Sequence, residues 1–223
     1  MNGLKTKLAD ILAFPVKSYE RLTDRRASLI AGIILVGAVD FLLPDIMFVI
    51  KELFAGKSTA DIAYNAGMSI VVLLLLGFID VIFISVPLFD LFRYLKRKEL
   101  LLAKQTGMGG EANAPDLKPS AIKVMKIYIM SHFIIIPVST AFYYALSRNI
   151  TENSSLLLQN VVMIFFMVII VWAAVIVARG INTLFRFNPL FRRLTFIIVF
   201  TWNFLFGMVF DVMIMNWLMQ LFR

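Results

Sequence analysis

No cysteine occurs among the 223 residues, which excludes disulfides, thiolate metal sites and cysteine nucleophiles together. Histidine is present once, as His132, too few for a paired Glu-x-x-His ligand set. Charged residues make up only 16% of the chain, where a soluble domain carries about 25%. Catalytic signatures are missing as well. There is no Gly-x-Ser-x-Gly elbow, and the Gly-rich piece after Thr106 has neither a following Gly-Lys-Ser/Thr nor a preceding strand pattern. Intramembrane aspartyl proteases carry Tyr-Asp and Gly-x-Gly-Asp motifs, but here Val39 precedes Asp40 and Ile79 precedes Asp80. No enzymatic activity and no cofactor are expected.

What the chain has in abundance is long apolar runs. Hydrophobic residues are 61% of the total and the mean hydropathy is +0.87. Five stretches, 28–50, 68–92, 122–146, 156–178 and 194–221, each reach the roughly 20 residues a bilayer crossing needs. They are apolar all round, so their surroundings must be lipid or other helices. The expected fold is all-α: a polytopic membrane protein with five transmembrane helices and a short amphipathic helix before them. Residues 1–27 form the basic leader and 28–223 one membrane domain. No apolar run precedes Ser28, and the first span is too long for a signal-peptide core, so no cleavable signal is expected.

The net charge of +8 is unevenly spread. The leader carries Lys5, Lys7, Lys17, Arg21, Arg25 and Arg26. The connection between spans two and three, 93–121, carries Arg93, Lys96, Arg97, Lys98, Lys104 and Lys118, with Lys123 and Lys126 just beyond it. Arg179, Arg186, Arg192 and Arg193 lie between spans four and five. Lys51, Lys57, Arg148 and Arg223 alone fall on the opposite side. By the positive-inside rule this places the N-terminus in the cytoplasm and the C-terminus outside, in a cell membrane. The same cations then suit anionic headgroups, and a protein partner or second copy, better than nucleic acid.

Leu4, Leu8, Ile11, Leu12, Pro15, Tyr19 and Leu22 recur at three- and four-residue steps in the leader. The pattern suits a helix broken at Pro15, either lying in the membrane interface or packed on the spans. Thr106 to Ser120 is Gly- and Pro-rich without periodicity and reads as an exposed loop. Two glycosylation sequons, at Asn149 and Asn153, sit too close to span ends for a transferase. Arg179 to Phe187 should cap span four, and Pro189 should open the next helix, since proline suits a first turn.

Several ionisable residues lie well inside the spans, where each costs roughly 2.5–3.5 kcal/mol at mid-membrane. They are Asp40 and Asp45 in span one, Asp80 in span two, His132 in span three and Asp211 in span five. At 1.5 Å per residue, Asp40 and Asp80 both lie about 18 Å from the cytoplasmic ends of their spans, and His132 about 15 Å. A polar cluster of Asp40, Asp80 and His132, with Asp211 nearer the outer surface, is therefore expected. It has two readings, a proton relay and a structural hydrogen-bond cluster. Pro44, Pro87 and Pro137 fall inside spans and tend to kink them.

Three pieces of the chain together resemble the Yip family of Ypt/Rab-interacting membrane proteins, in its prokaryotic branch. They are the leader Ile11 to Leu22, the run Tyr128 to Pro137 that ends in proline, and the Gly-containing connection Val177 to Asn188. The resemblance implies five spans with a cytoplasmic N-terminus and a non-enzymatic membrane scaffold or adaptor, linked in eukaryotes to vesicle traffic and membrane shaping. The Asp-Leu-Tyr-Gly-Pro signature of the eukaryotic branch does not occur, so the expectation does not extend to Rab binding. From the residues alone, a small proton- or cation-coupled transporter or channel built on the Asp/His cluster is the alternative.

Overall fold

A computed structural model describes residues 10–42, 58–105, 119–145 and 155–209. Those residues are almost entirely helical, and no strand occurs among them. The elements are α1 (Val16–Glu20), α2 (Arg26–Leu42), α3 (Thr59–Gln105), α4 (Ala121–Ala145), α5 (Leu156–Phe185) and α6 (Pro189–Val209). Four of them, α3 to α6, are long and apolar enough to cross a membrane. The fold is thus an all-α bundle of the multi-pass membrane type. The first expected span is described as α2, shorter but apolar. The rest of it, including Pro44 and Asp45, lies outside the described residues, as does Asp211.

Local chemistry sets where the helices begin. Ser58 and Asp61 form a reciprocal cap at the start of α3: the Ser58 hydroxyl accepts from the Asp61 N–H, and the Asp61 carboxylate accepts from the Ser58 N–H. Ser120 and Ser155 likewise accept from the third N–H of α4 and α5. Asn188 caps α6 by accepting from Phe191 N–H at 3.1 Å, and Pro189 is the first residue of that helix. The α5–α6 connection is therefore very short. It turns at Arg186, whose φ of 50° is left-handed.

Two spans outrun their apolar stretches. Helix α5 continues through Arg179 to Phe185 and is capped at Arg186, within the stretch expected to close it. Helix α3 has 47 residues, about 70 Å at 1.5 Å per residue, more than twice a hydrocarbon core of about 30 Å. It passes through Pro87 without interruption and carries Arg93 to Gln105 as helix, where the polarity pattern placed a connecting loop. Pro137 is likewise internal to α4. Neighbouring helices in a membrane can satisfy the carbonyl that proline leaves unpaired.

Packing is concentrated at one end, the end that carries the basic residues. Val81, Ile84, Leu88 and Phe92 of α3 meet Val124 and Ile127 of α4, and Val177, Ile181 and Phe185 of α5. Phe92, Phe185 and Phe187 are buried with ring centroids 5.6–6.2 Å apart. Toward the opposite end the apolar side chains face outward: Val71, Leu74 and Leu75 on α3, Leu157, Met163 and Ile164 on α5. In a bilayer such residues meet acyl chains at no hydrophobic cost.

The closest crossing is α2 on α3, where Gly37 faces Gly77 backbone to backbone. A Cβ on Gly37 would overlap the Leu73 carbonyl oxygen, and one on Gly77 the Ile33 carbonyl oxygen. Only glycine lets the two backbones approach this far. Gly67, on the same α3, has open space around it. Gly77→Ala should therefore lower stability by roughly 1–3 kcal/mol, read as a fall in thermal midpoint in detergent. Gly67→Ala should raise it by roughly 0.5–1 kcal/mol through helix propensity alone. Equal effects from the two substitutions would contradict the crossing.

Candidate functional site

The structure brings two of the expected cluster residues together and supplies a third. Asp80 on α3 is buried, and its Oδ2 lies 3.7 Å from His132 Nε2 on α4. Between them stands Tyr128, whose hydroxyl is 2.9 Å from Asp80 Oδ1 and 2.8 Å from Oδ2 and donates to the carboxylate. Tyr128 and His132 are one helical turn apart, and the His132 Nδ1 lies 3.1 Å from the Tyr128 carbonyl oxygen. Their rings meet edge to face at 4.7 Å. Counting depth along the spans was enough to pair Asp80 with His132. Tyr128 was missed, although it sits four residues before His132, on the same face, and a phenol is a natural donor to a carboxylate. The backbone of Asp40 belongs to α2, but its side chain lies outside the described residues. Asp211 does too.

Chemically, this is a carboxylate held by a phenol donor, with an imidazole at the edge of contact range. It can act as a helix-to-helix tie, or hand a proton between Asp80 and His132. Among the described residues, no group of three or more His, Asp or Glu could hold a metal ion.

The second candidate region is the basic end. Here the leader does not lie apart from the bundle. Residues 10–13 form a helical turn, Phe14 takes a left-handed φ of 59°, and Pro15 starts α1. The break expected at Pro15 is present. The chain then drives Tyr19 inward until it is 2% exposed. Its ring lies against Gly180 of α5, where a Cβ would stand 2.8 Å from Tyr19 Cε1. The hydroxyl shares its proton between the Ala13 carbonyl at 2.7 Å and the Ile176 carbonyl at 3.2 Å. Trp172 Nε1 donates to the Leu12 carbonyl at 2.6 Å, and Arg179 pairs with Asp10. Further along, Asp24 bonds Ser120 and pairs with Lys123 at 3.7 Å, while Lys126 Nζ donates to the Thr23 carbonyl at 2.5 Å. Of the two leader geometries open from sequence, packing on the spans describes this segment. Its outer side still exposes Ile11, Leu12 and Val16.

The expected contact residues divide accordingly. Lys17, Arg21, Arg25, Arg26, Arg93, Arg97 and Lys98 are exposed at this end. Lys5 and Lys7 lie outside the described residues. Lys96 turns inward: its Nζ is 2.7 Å from Glu99 Oε2, 3.0 Å from the Arg186 carbonyl and 5.5 Å from the Phe187 ring centroid. The buried Glu99 accepts the Asn188 N–H at 2.7 Å on its other oxygen. Together they clamp the α5–α6 turn to α3, a role invisible in a charge count. Comparison with family models, with curated proteins and with solved structures yields no match for this chain.

Burial raises the Tyr19 pKa well above its ordinary value of 10.0, with the nearby Arg179 charge offsetting part of that rise. The folded state thus holds the Tyr19 proton more tightly than the unfolded chain. Its contribution is complete below the unfolded pKa near 10 and is lost as pH rises past it. The thermal midpoint should fall more steeply between about pH 9 and 11 for the wild type than for Tyr19→Phe, which removes that proton. Parallel profiles would contradict the buried placement.

Proposed function

We propose that this chain is a non-enzymatic integral membrane scaffold or adaptor of the kind the Yip resemblance implies. It sits in the cell membrane with its N-terminus in the cytoplasm and its C-terminus outside. It works by contact: the basic cytoplasmic end meets anionic headgroups and a protein partner or a second copy of the chain. The observation that carries this reading is the gathering of Lys17, Arg21, Arg25, Arg26, Arg93, Arg97 and Lys98, all exposed, at one end of the bundle. That end is also the well-packed one, with the leader sewn onto α4 and α5. A rigid, positively charged platform on a membrane anchor is suited to holding partners and headgroups.

The rival reading, a proton- or cation-coupled transporter or channel, draws on the 3.7 Å approach of Asp80 to His132 inside the spans. Two observations favour the scaffold over it. Asp80 is only 6% exposed, and Tyr128 donates to both of its oxygens.

Neutralising Lys5, Lys7, Lys17 and Arg21 to Gln should weaken association with anionic vesicles by about 1 kcal/mol per cation at low salt, and progressively less as salt rises. Unchanged association at low salt would count against the contact reading. In parallel, Asp80→Asn and His132→Ala should lower thermal stability while purified protein in liposomes conducts no pH-dependent flux. Flux that the wild type shows and both variants abolish would favour transport instead.

A further inference from the structure

A cavity of about 570 Å³ opens where the leader meets the α5–α6 turn, within the size range of ligand sites. Its lining is divided by chemistry. Arg179, Arg186 and Arg192 are three basic residues of the lining, with Glu20 the acidic one among them. Val16, Val175 and Phe196 supply apolar wall. Arg179 is paired with Asp10. The Arg186 and Arg192 side chains have no ion pair or hydrogen bond among the described residues. Among the described residues, Asp10 and Glu20 set against the three arginines leave the cavity lining positive by one charge.

The position of the cavity along the membrane normal fits the same division. Helix α5 has 30 residues, about 45 Å at 1.5 Å per residue, against roughly 30 Å of hydrocarbon. Measured from Leu156, the hydrocarbon ends near residue 176. Val175 then stands at the acyl edge, Arg179 about 4.5 Å beyond that edge at headgroup level, and Arg186 on the water side of that layer, from where its long side chain can reach back toward a phosphate. A ligand matching this arrangement carries one negative charge that a guanidinium can grip through two oxygens, and an apolar body beside it.

We propose that this cavity binds one anionic glycerophospholipid, its phosphodiester held by Arg186 and Arg192 beside the Arg179–Asp10 pair, its acyl chains along Val175, Val16 and Phe196. The inference rests on the headgroup-contact reading above and narrows it from a diffuse basic end to one built site. Lipid bound there touches the leader, the turn and both flanking helices at once, so occupancy couples lipid composition to how the leader is seated.

The test measures equilibrium binding of radiolabelled phosphatidylglycerol to the full-length chain in phosphatidylcholine-doped detergent micelles. The wild type should bind one phosphatidylglycerol saturably, without displacement by inorganic phosphate. Arg186→Asn with Arg192→Gln should weaken binding by about tenfold or more; asparagine is chosen because it tolerates the left-handed backbone at 186. Val175→Trp keeps every charge, fills the apolar wall and should weaken binding too. Arg93→Gln with Arg97→Gln, exposed on the basic end but outside the cavity, should weaken it clearly less than the cavity pair does, because solvent and salt screen exposed charges. Thermal midpoints of all variants verify folding, and Val175→Trp carries the test should the arginine pair fail to fold. Equal losses from the two arginine pairs, or unchanged binding by Val175→Trp, would overturn the cavity site and leave the broader contact reading standing. Displacement by inorganic phosphate would identify a free-anion site and overturn the lipid. No preference for phosphatidylglycerol over phosphatidylcholine in the wild type would sink both readings.

Discussion

Hydrocarbon offers a chain no hydrogen-bonding partner, and most of this structure follows from that. Backbone amides must close their own bonds, so the spans are helices, and long ones. The hydrophobic effect, which assembles soluble cores, gives helices already in lipid no reason to associate. What remains is close van der Waals contact and a few internal polar ties. Both are visible: the backbone approach at Gly37 and Gly77, and the Asp80–Tyr128 hydrogen bonds between α3 and α4. The outward-facing Val71, Leu74, Met163 and Ile164 need no protein partner, because acyl chains serve as well.

At the basic end the physics changes, because water and headgroups compete for every polar group. There the chain uses tertiary locks. Tyr19 is pressed onto Gly180, Glu99 and Lys96 clamp the α5–α6 turn, and Phe92, Phe185 and Phe187 pack beneath it. Each lock joins segments far apart in sequence, residue 19 to 176 and residue 99 to 188. The result is a platform whose cations point outward from a firm base, and a cleft between leader and turn where three arginines meet an apolar wall. A contact function needs such pre-organisation more than it needs any reactive side chain.

Four of the five expected spans are met by long apolar helices and the first by the shorter α2, and they were legible in the sequence because apolar length is a one-dimensional property. Asp80 and His132 could be paired by depth for the same reason: rise per residue is fixed, so position along a span converts to height. Rotation about the helix axis is not readable that way. Nothing in the pattern said that Tyr128 would face Asp80, that Gly37 would meet Gly77, or that Glu99 would turn inward while Arg97 and Lys98 stayed out. Helix α3 ran past Phe92 because charged residues are good helix formers once a helix is nucleated; polarity marks where the membrane ends, not where the helix does. The leader's stripe of Leu, Ile and Tyr fitted a lipid surface and a protein surface equally well. Burial of Tyr19 separates the two.

The protein is a multi-pass helical bundle, and its basic, well-packed end is proposed to face the cytoplasm. Because the chain has no cysteine of its own, single introduced cysteines report without background. The most direct measurement is membrane-impermeant thiol labelling of intact cells carrying a cysteine at residue 153 or at residue 98. The account predicts labelling of residue 153 from outside, and of residue 98 only after the cytoplasmic side is opened. Labelling of residue 153 only from the cytoplasm would contradict it.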